Sequence, residues 1–268
     1  MKYFKYKILN PGGNKTALVI GNNYLENEKK LINVYILREN KDVEQVGFIS
    51  NIENKLEMAG GEFCVNATRC AIWEYLENKE NRIEINVSGD KNKIDGWIDK
   101  QKNVYVKLKI NKEKTKIINK EENFTFVNLD RILLTILDED NSKEFIRKIK
   151  SDEEKTKDEL KKIMKRFKTK QNAIGIILLE KNNEKLKIFP IIWVKTIDTL
   201  FYETACGSGS LAVAIYKNYT ENISSFEILQ PSGYSINVKL NVNNDYIEYA
   251  IVSGKVIEEN GGIKYGRI

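Results

Sequence analysis

Three cysteines are the chain's whole supply of thiols, and two of them stand where a thiol can do chemistry. Cys64 lies in Gly60-Gly61-Glu62-Phe63-Cys64-Val65-Asn66-Ala67-Thr68-Arg69-Cys70, and Cys206 in Glu203-Thr204-Ala205-Cys206-Gly207-Ser208-Gly209-Ser210. Each precedes a stretch that reads as a helix, among small residues. A helix start exposes unpaired N–H groups and a partial positive charge. A cysteine there ionises more readily, and the same N–H groups can hold a carboxylate. Two such sulfurs, one on each face of an amino-acid Cα, could remove a proton from one side and return one to the other. The N–H donors would stabilise the charge that builds on the carboxylate meanwhile. Taken singly, either cysteine reads as well as a small buried hydrophobe. The pair in matching contexts carries the chemical reading. Cys70, six residues beyond Cys64, reads as core.

The rest of the composition narrows the field. The chain has 268 residues and no histidine, which removes Ser-His and Cys-His nucleophiles and any histidine metal site. Three cysteines make neither a disulfide framework nor a four-thiolate zinc site, and no metal is expected. No lysine-centred motif signals a pyridoxal enzyme, and the two-thiol reaction needs no cofactor. The 44 basic and 38 acidic residues are interspersed, without the basic stripe of a nucleic-acid binder. No apolar run approaches the ~18 residues of a membrane span, and the first residues do not form a signal peptide. A cytoplasmic protein acting on a small amino acid, without nucleic-acid or membrane partners, is the expectation.

The elements that must position the thiols follow from periodicity. Strands are expected over 2–9, 16–20, 46–49, 82–88, 94–98 and 103–110, with a tight turn at Asn10-Pro11-Gly12-Gly13-Asn14. Residues 31–37 fit either a strand or a short helix. A helix runs from Cys64 to about Asn78. Residues 111–123, rich in Lys, Glu and Asn, read as a linker. Beyond it come a helical region over 141–168, strands over 173–179 and 186–194, the helix after Cys206, and strands over 226–230, 235–241, 246–252 and 255–258. This predicts an α+β fold of two similar halves, each a mostly antiparallel sheet around one central helix. The first half is 1–115 with Cys64, and the second is 116–254 with Cys206.

These segments resemble the diaminopimelate epimerase superfamily. Phe63 to Cys70 is similar to its Cys-Gly-Asn-Gly-x-Arg-Cys motif, and Glu203 to Gly209 to its Thr-x-Ala-Cys-Gly-Thr-Gly motif. Pro11-Gly12-Gly13-Asn14 resembles the Gly-x-Gly-Asn segment whose Asn contacts substrate. The resemblance implies curled sheets around the central helices, an active site in the cleft between the halves, a last strand (255–268) joining the first half, and a homodimer. The departures bear on substrate. The epimerases' Glu-Arg pair before the second Cys has no arginine counterpart in Thr196-Ile197-Asp198-Thr199-Leu200, the family's Asn falls near Lys55, and Val65 replaces a glycine. Together with Gln230-Pro231-Ser232-Gly233, the first motif looks more like the histidine racemases of that superfamily.

The roles implied are then as follows. Cys64 and Cys206 are the two bases. Backbone N–H groups of Val65-Asn66 and Gly207-Ser208 hold the α-carboxylate, and Asn14 and Glu203 are candidates for the α-ammonium. Arg69 reads as a brace within its helix, and Glu62 and Asp198 as possible side-chain contacts. A diaminopimelate epimerase, and a non-catalytic amino-acid-binding or thiol redox homologue, are the alternatives.

Overall fold

The structure, a computed structural model, describes residues 2–21, 24–121, 124–182, 185–259 and 261–268. In chain order the first elements are β1 (Tyr3–Asn10), β2 (Lys15–Ile20), α1 (Glu26–Glu39), β3 (Val43–Ile49), β4 (Lys55–Met58), α2 (Val65–Tyr75), β5 (Asn81–Val87), β6 (Ile94–Ile98) and β7 (Asn103–Glu113). Then follow α3 (Lys114–Ile117), β8 (Ile118–Glu121), β9 (Phe124–Asn128), β10 (Ile132–Leu137), α4 (Glu139–Ser151), α5 (Glu153–Met164), β11 (Ala173–Asn182), β12 (Lys185–Val194) and β13 (Thr199–Tyr202). The last are α6 (Gly207–Glu221), β14 (Ser225–Leu229), β15 (Ser235–Asn243), β16 (Tyr246–Lys255), β17 (Ile257–Glu258) and β18 (Lys264–Arg267). The architecture is mixed α/β, with mostly antiparallel sheet and few helices. The chain divides into two compact units, Met1–Lys107 with Ser253–Ile268, and Leu108–Val252.

In the first unit β1 pairs antiparallel with β2 along one edge and with β17 and β18 along the other. The sheet continues through parallel β2–β3 and β4–β5 pairs and antiparallel β3–β4, β5–β6 and β6–β7 pairs. Thr16 to Val19 are all buried, so β2 is covered on both faces. Ala17 and Val19 join Phe4, Tyr6, Ile8 and Phe48 in a cluster under Ile32 and Ile36 of α1. Those two isoleucines, four residues apart, settle the open reading of 31–37 as helix. The helix starts well before that run, with Glu26 and Glu28 in its first turn and the Glu28 carboxylate accepting from Leu25 N–H at 2.8 Å.

The second unit is built on β11. It pairs parallel with β10 and antiparallel with β12, and is buried from Ala173 to Leu179. Ile174, Ile176 and Leu178 pack with Ile146, Ile149, Leu160 and Met164 of α4 and α5, while Ile177 reaches Gly209 in α6.

Three expectations need correction. The linker over 111–121 is instead the end of β7, the single turn α3 and β8, because Lys114, Ile117 and Ile118 are buried; residues 122 and 123 of that reading lie outside the described residues. The single helical region over 141–168 is two helices. Asp152, extended at φ −153°, ends α4, and its carboxylate caps α5 by accepting from Lys155 N–H at 3.1 Å. Finally, β4, β9, β10, β13 and β18 are strands that the periodicity did not signal.

Candidate active site

Cys64 is the N-cap of α2. Its backbone is extended (φ −130°, ψ 117°), and its Sγ accepts from Ala67 N–H at 3.4 Å. Its carbonyl takes the first helical bond from Thr68 N–H at 3.0 Å and a second from the Thr68 hydroxyl at 2.7 Å. The thiol is partly exposed and donates to Gln45 Oε1 at 2.9 Å. Gln45 is oriented by its other end, where Nε2 donates to Thr16 Oγ1 at 2.7 Å and to the Asn14 carbonyl at 3.5 Å. Thus β2, β3 and the N-terminal turn converge on the same sulfur. Asn14 closes that turn in the left-handed region (φ 52°), behind Asn10, whose Oδ1 accepts from Gly12 and Gly13 N–H. Asn14 and Asn66 are 2% and 1% exposed. The loop leading into Cys64 leans on Ser88-Gly89. Ser88 Oγ donates to the Glu62 carbonyl at 2.7 Å, and a Cβ at Gly89 (φ 74°) would stand 2.6 Å from Phe63 N.

Cys206 repeats this arrangement in the second unit. It is the N-cap of α6 (φ −136°, ψ 106°), and its Sγ accepts from Gly209 N–H at 3.2 Å. Its carbonyl receives Ser210 N–H at 2.9 Å and the Ser210 hydroxyl at 2.8 Å. Here a glutamine holds the backbone. Gln230 Oε1 accepts from Cys206 N–H at 2.9 Å, and Gln230 Nε2 donates to Ser210 Oγ and to the Ile228 carbonyl. Gln230 is fully buried, and Gly209 is buried where a Cβ would meet Ile177 Cδ1 at 2.9 Å and Cys206 Sγ at 3.2 Å. Gly207 and Ser208 form the first turn, and Glu203 is held by its N–H to the Pro190 carbonyl at 2.9 Å.

The sequence matches the family described as histidine racemase CntK N-terminal domain over residues 2–265. The chain belongs to the histidine racemase family. A histidine racemase of Fusobacterium nucleatum subsp. nucleatum is 30% identical over 237 residues, covering 84% of this chain and 86% of that one. Two solved structures share the fold: a phenazine biosynthesis protein of the PhzF family from Enterococcus faecalis (TM-score 0.62, 11% identity, all of both chains covered) and a hydroxyproline epimerase from Agrobacterium vitis (TM-score 0.59, 10% identity, covering 98% of this chain and 92% of that one). The protein is an isomerase of the amino-acid racemase class.

Around the thiols of this racemase, burial sorts the remaining groups. Cys70 is fully enclosed, and burial pushes its thiol up to about 12, against the opposing effects of a Thr16 hydrogen bond and the Arg69 charge. It stays a neutral core residue. Burial also raises Glu62, opposed by the backbone N–H groups of Glu62 and Gly60, and one of its carboxyl oxygens is enclosed without a hydrogen-bond partner among the described residues. Asp198 is exposed and engaged elsewhere, paired with Lys161 at 2.8 Å and accepting from Trp193 Nε1 at 2.8 Å, which holds its carboxyl below the usual range. Gln45 carried no signal in the sequence. Gln230 stood out only as part of a resembling segment, with no role. Among the described residues no three Cys, Asp or Glu side chains converge as a metal site, and no helix is long and apolar enough to cross a membrane.

Proposed function

We propose that this protein interconverts L- and D-histidine by direct proton transfer at Cα, with Cys64 and Cys206 as the two bases. The observation that carries the reading is the repeated cap. Each cysteine is an N-cap residue whose sulfur receives the N–H three residues on and whose carbonyl receives a hydroxyl four residues on. The reaction requires the two sulfurs on opposite faces of Cα. One thiolate removes the proton, the opposite thiol supplies another, and the roles exchange with substrate handedness.

The N–H groups of the first turns, at Val65 and Asn66 and at Gly207 and Ser208, take the α-carboxylate. There they stabilise the negative charge that accumulates on its oxygens as the Cα proton leaves. Asn14 and Glu203 take the α-ammonium. Histidine as substrate rests on the family match and on the segment 196–200, which offers no guanidinium to a second carboxylate. No cofactor takes part.

The test is Cα deuterium uptake in D2O, without pyridoxal phosphate, across a panel of amino acids. Histidine should exchange fastest. Cys64→Ser and Cys206→Ser should each lower racemisation by ~10³-fold, the scale of a lost general acid or base. Faster exchange of diaminopimelate would reassign the substrate, and full activity in either serine variant would sink the two-thiol mechanism.

A further inference from the structure

Arg69 is the largest fully buried side chain among the described residues, at 0% exposure, and the hydrogen-bond partners its guanidinium has there are neutral. Nη1 donates to the Pro11 carbonyl at 3.1 Å and to Asn66 Oδ1 at 3.4 Å, and Nη2 donates to the Lys255 carbonyl at 2.8 Å. Nε is enclosed without a hydrogen-bond partner among the described residues. Burying a charge without a counter-ion costs several kcal/mol, on the order that usually selects against it. A purely structural brace could be built from an uncharged donor. Burial draws the guanidinium down to about 10, so it remains a cation at neutral pH. Nη1 reaches Asn66 in the first turn of α2, which sets the cation beside the helix start that Cys64 caps, where its charge acts on the sulfurs of Cys70 and Cys64. Cys70 stays protonated, which leaves Cys64.

The cations on the strands packed against α2, and two more on β1 and α1, are paired with carboxylates. Lys15 pairs with Asp42 and Glu259, Lys29 and Lys55 with Glu57, Arg82 with Asp95, and Lys7 with Glu74 of α2 itself. Gln45 Oε1, accepting from the Cys64 thiol, favours the protonated sulfur. Positive charge beyond that of the helix start favours the thiolate there. The same side chain ties the N-terminal turn, Asn66 and the returning strand β16 to α2.

We infer that Arg69 is the buried counter-charge of the Cys64 thiolate, a positioning residue that favours ionisation of this thiol. At Cys206 the equivalent place, five residues into the helix, is Leu211. The inference rests on Cys64 acting as a base. The test reads the thiol itself, so it can fail or succeed independently of racemisation. In a Cys206→Ser background, the rate of Cys64 alkylation by iodoacetamide is followed against pH.

Arg69→Gln should raise the midpoint by at least about one unit, a tenfold loss of thiolate at any pH well below it. Arg69→Lys should keep the midpoint within a few tenths of a unit. A folded Arg69→Gln variant with an unmoved midpoint overturns the inference and leaves Arg69 a brace. Should Arg69→Gln not fold, the two thiols of the otherwise unaltered protein decide, each read with the other changed to serine. A Cys64 midpoint at least about one unit below that of Cys206 supports the counter-charge, and an equal or higher one overturns it.

Discussion

The caps of α2 and α6 are built alike, but they are held by opposite means. Around Cys64 the side chain is engaged: Gln45 grips the sulfur, and a buried cation lies in the helix behind it. Around Cys206 the main chain is engaged, with Gln230 gripping the backbone N–H, and the helix behind it is apolar through Leu211 to Ile215. The two thiols thus share a geometry and differ in electrostatics. A reaction that runs in both directions needs the geometry twice. It does not need the same resting protonation at both ends.

Substitutions can separate these two kinds of support. The largest effect on stability is expected from Gln230→Ala. It strands the buried Cys206 N–H and the Ser210 hydroxyl and opens a cavity, at about 3 kcal/mol. Chemical denaturation would read this, and activity in the surviving folded fraction should fall through a misplaced sulfur. Gln45→Ala, at the matching glutamine of the first unit, should cost about 1 kcal/mol, because the Cys64 thiol is partly exposed. Its signature should be a lower alkylation midpoint at Cys64, since the acceptor that favours the protonated sulfur is gone. Equal denaturation midpoints for the two variants would remove the distinction.

Gly209→Ala comes next, at about 1–2 kcal/mol, because the new methyl must displace Ile177 Cδ1 and Cys206 Sγ. The first unit carries Ala67 at that place, so the same residue type is native at one cap and expected to be harmful at the other. A melting temperature and kcat unchanged by Gly209→Ala would contradict the close packing. The smallest effect belongs to Cys70→Ala. It should cost about 1 kcal/mol and leave racemisation within about twofold, since that thiol stays protonated in the core.

The two caps were legible in the sequence because a cysteine followed by small residues and an apolar run is a local signal. Their hydroxyl echo, Thr68 and Ser210, was present in the text of both motifs and becomes meaningful only once both carbonyls are seen to accept from it. The roles of Gln45 and Gln230 were silent because their partners lie 19 and 24 positions away, and a single amide leaves no periodic mark. The helix α1 was ambiguous because its central run is apolar and β-branched, the composition of a strand. The run Ile132 to Leu137 shows the opposite difficulty. A strand buried on both faces has no alternation to detect. At 111–121 the charges argued for a linker, while three buried side chains, Lys114 among them, decided for structure.

The place of β1 bears on how the chain is made. Its second edge is completed by Ile257–Glu258 and Lys264–Arg267, synthesised some 250 residues after its first. The first unit therefore cannot close until the ribosome has passed through the second, and contacts of such long sequence separation form slowly. A nascent chain stalled near residue 252 presents β1 as an open edge, a template for pairing with another chain. Removing the final strand should thus show itself first as aggregation during expression, ahead of any deficit in catalysis.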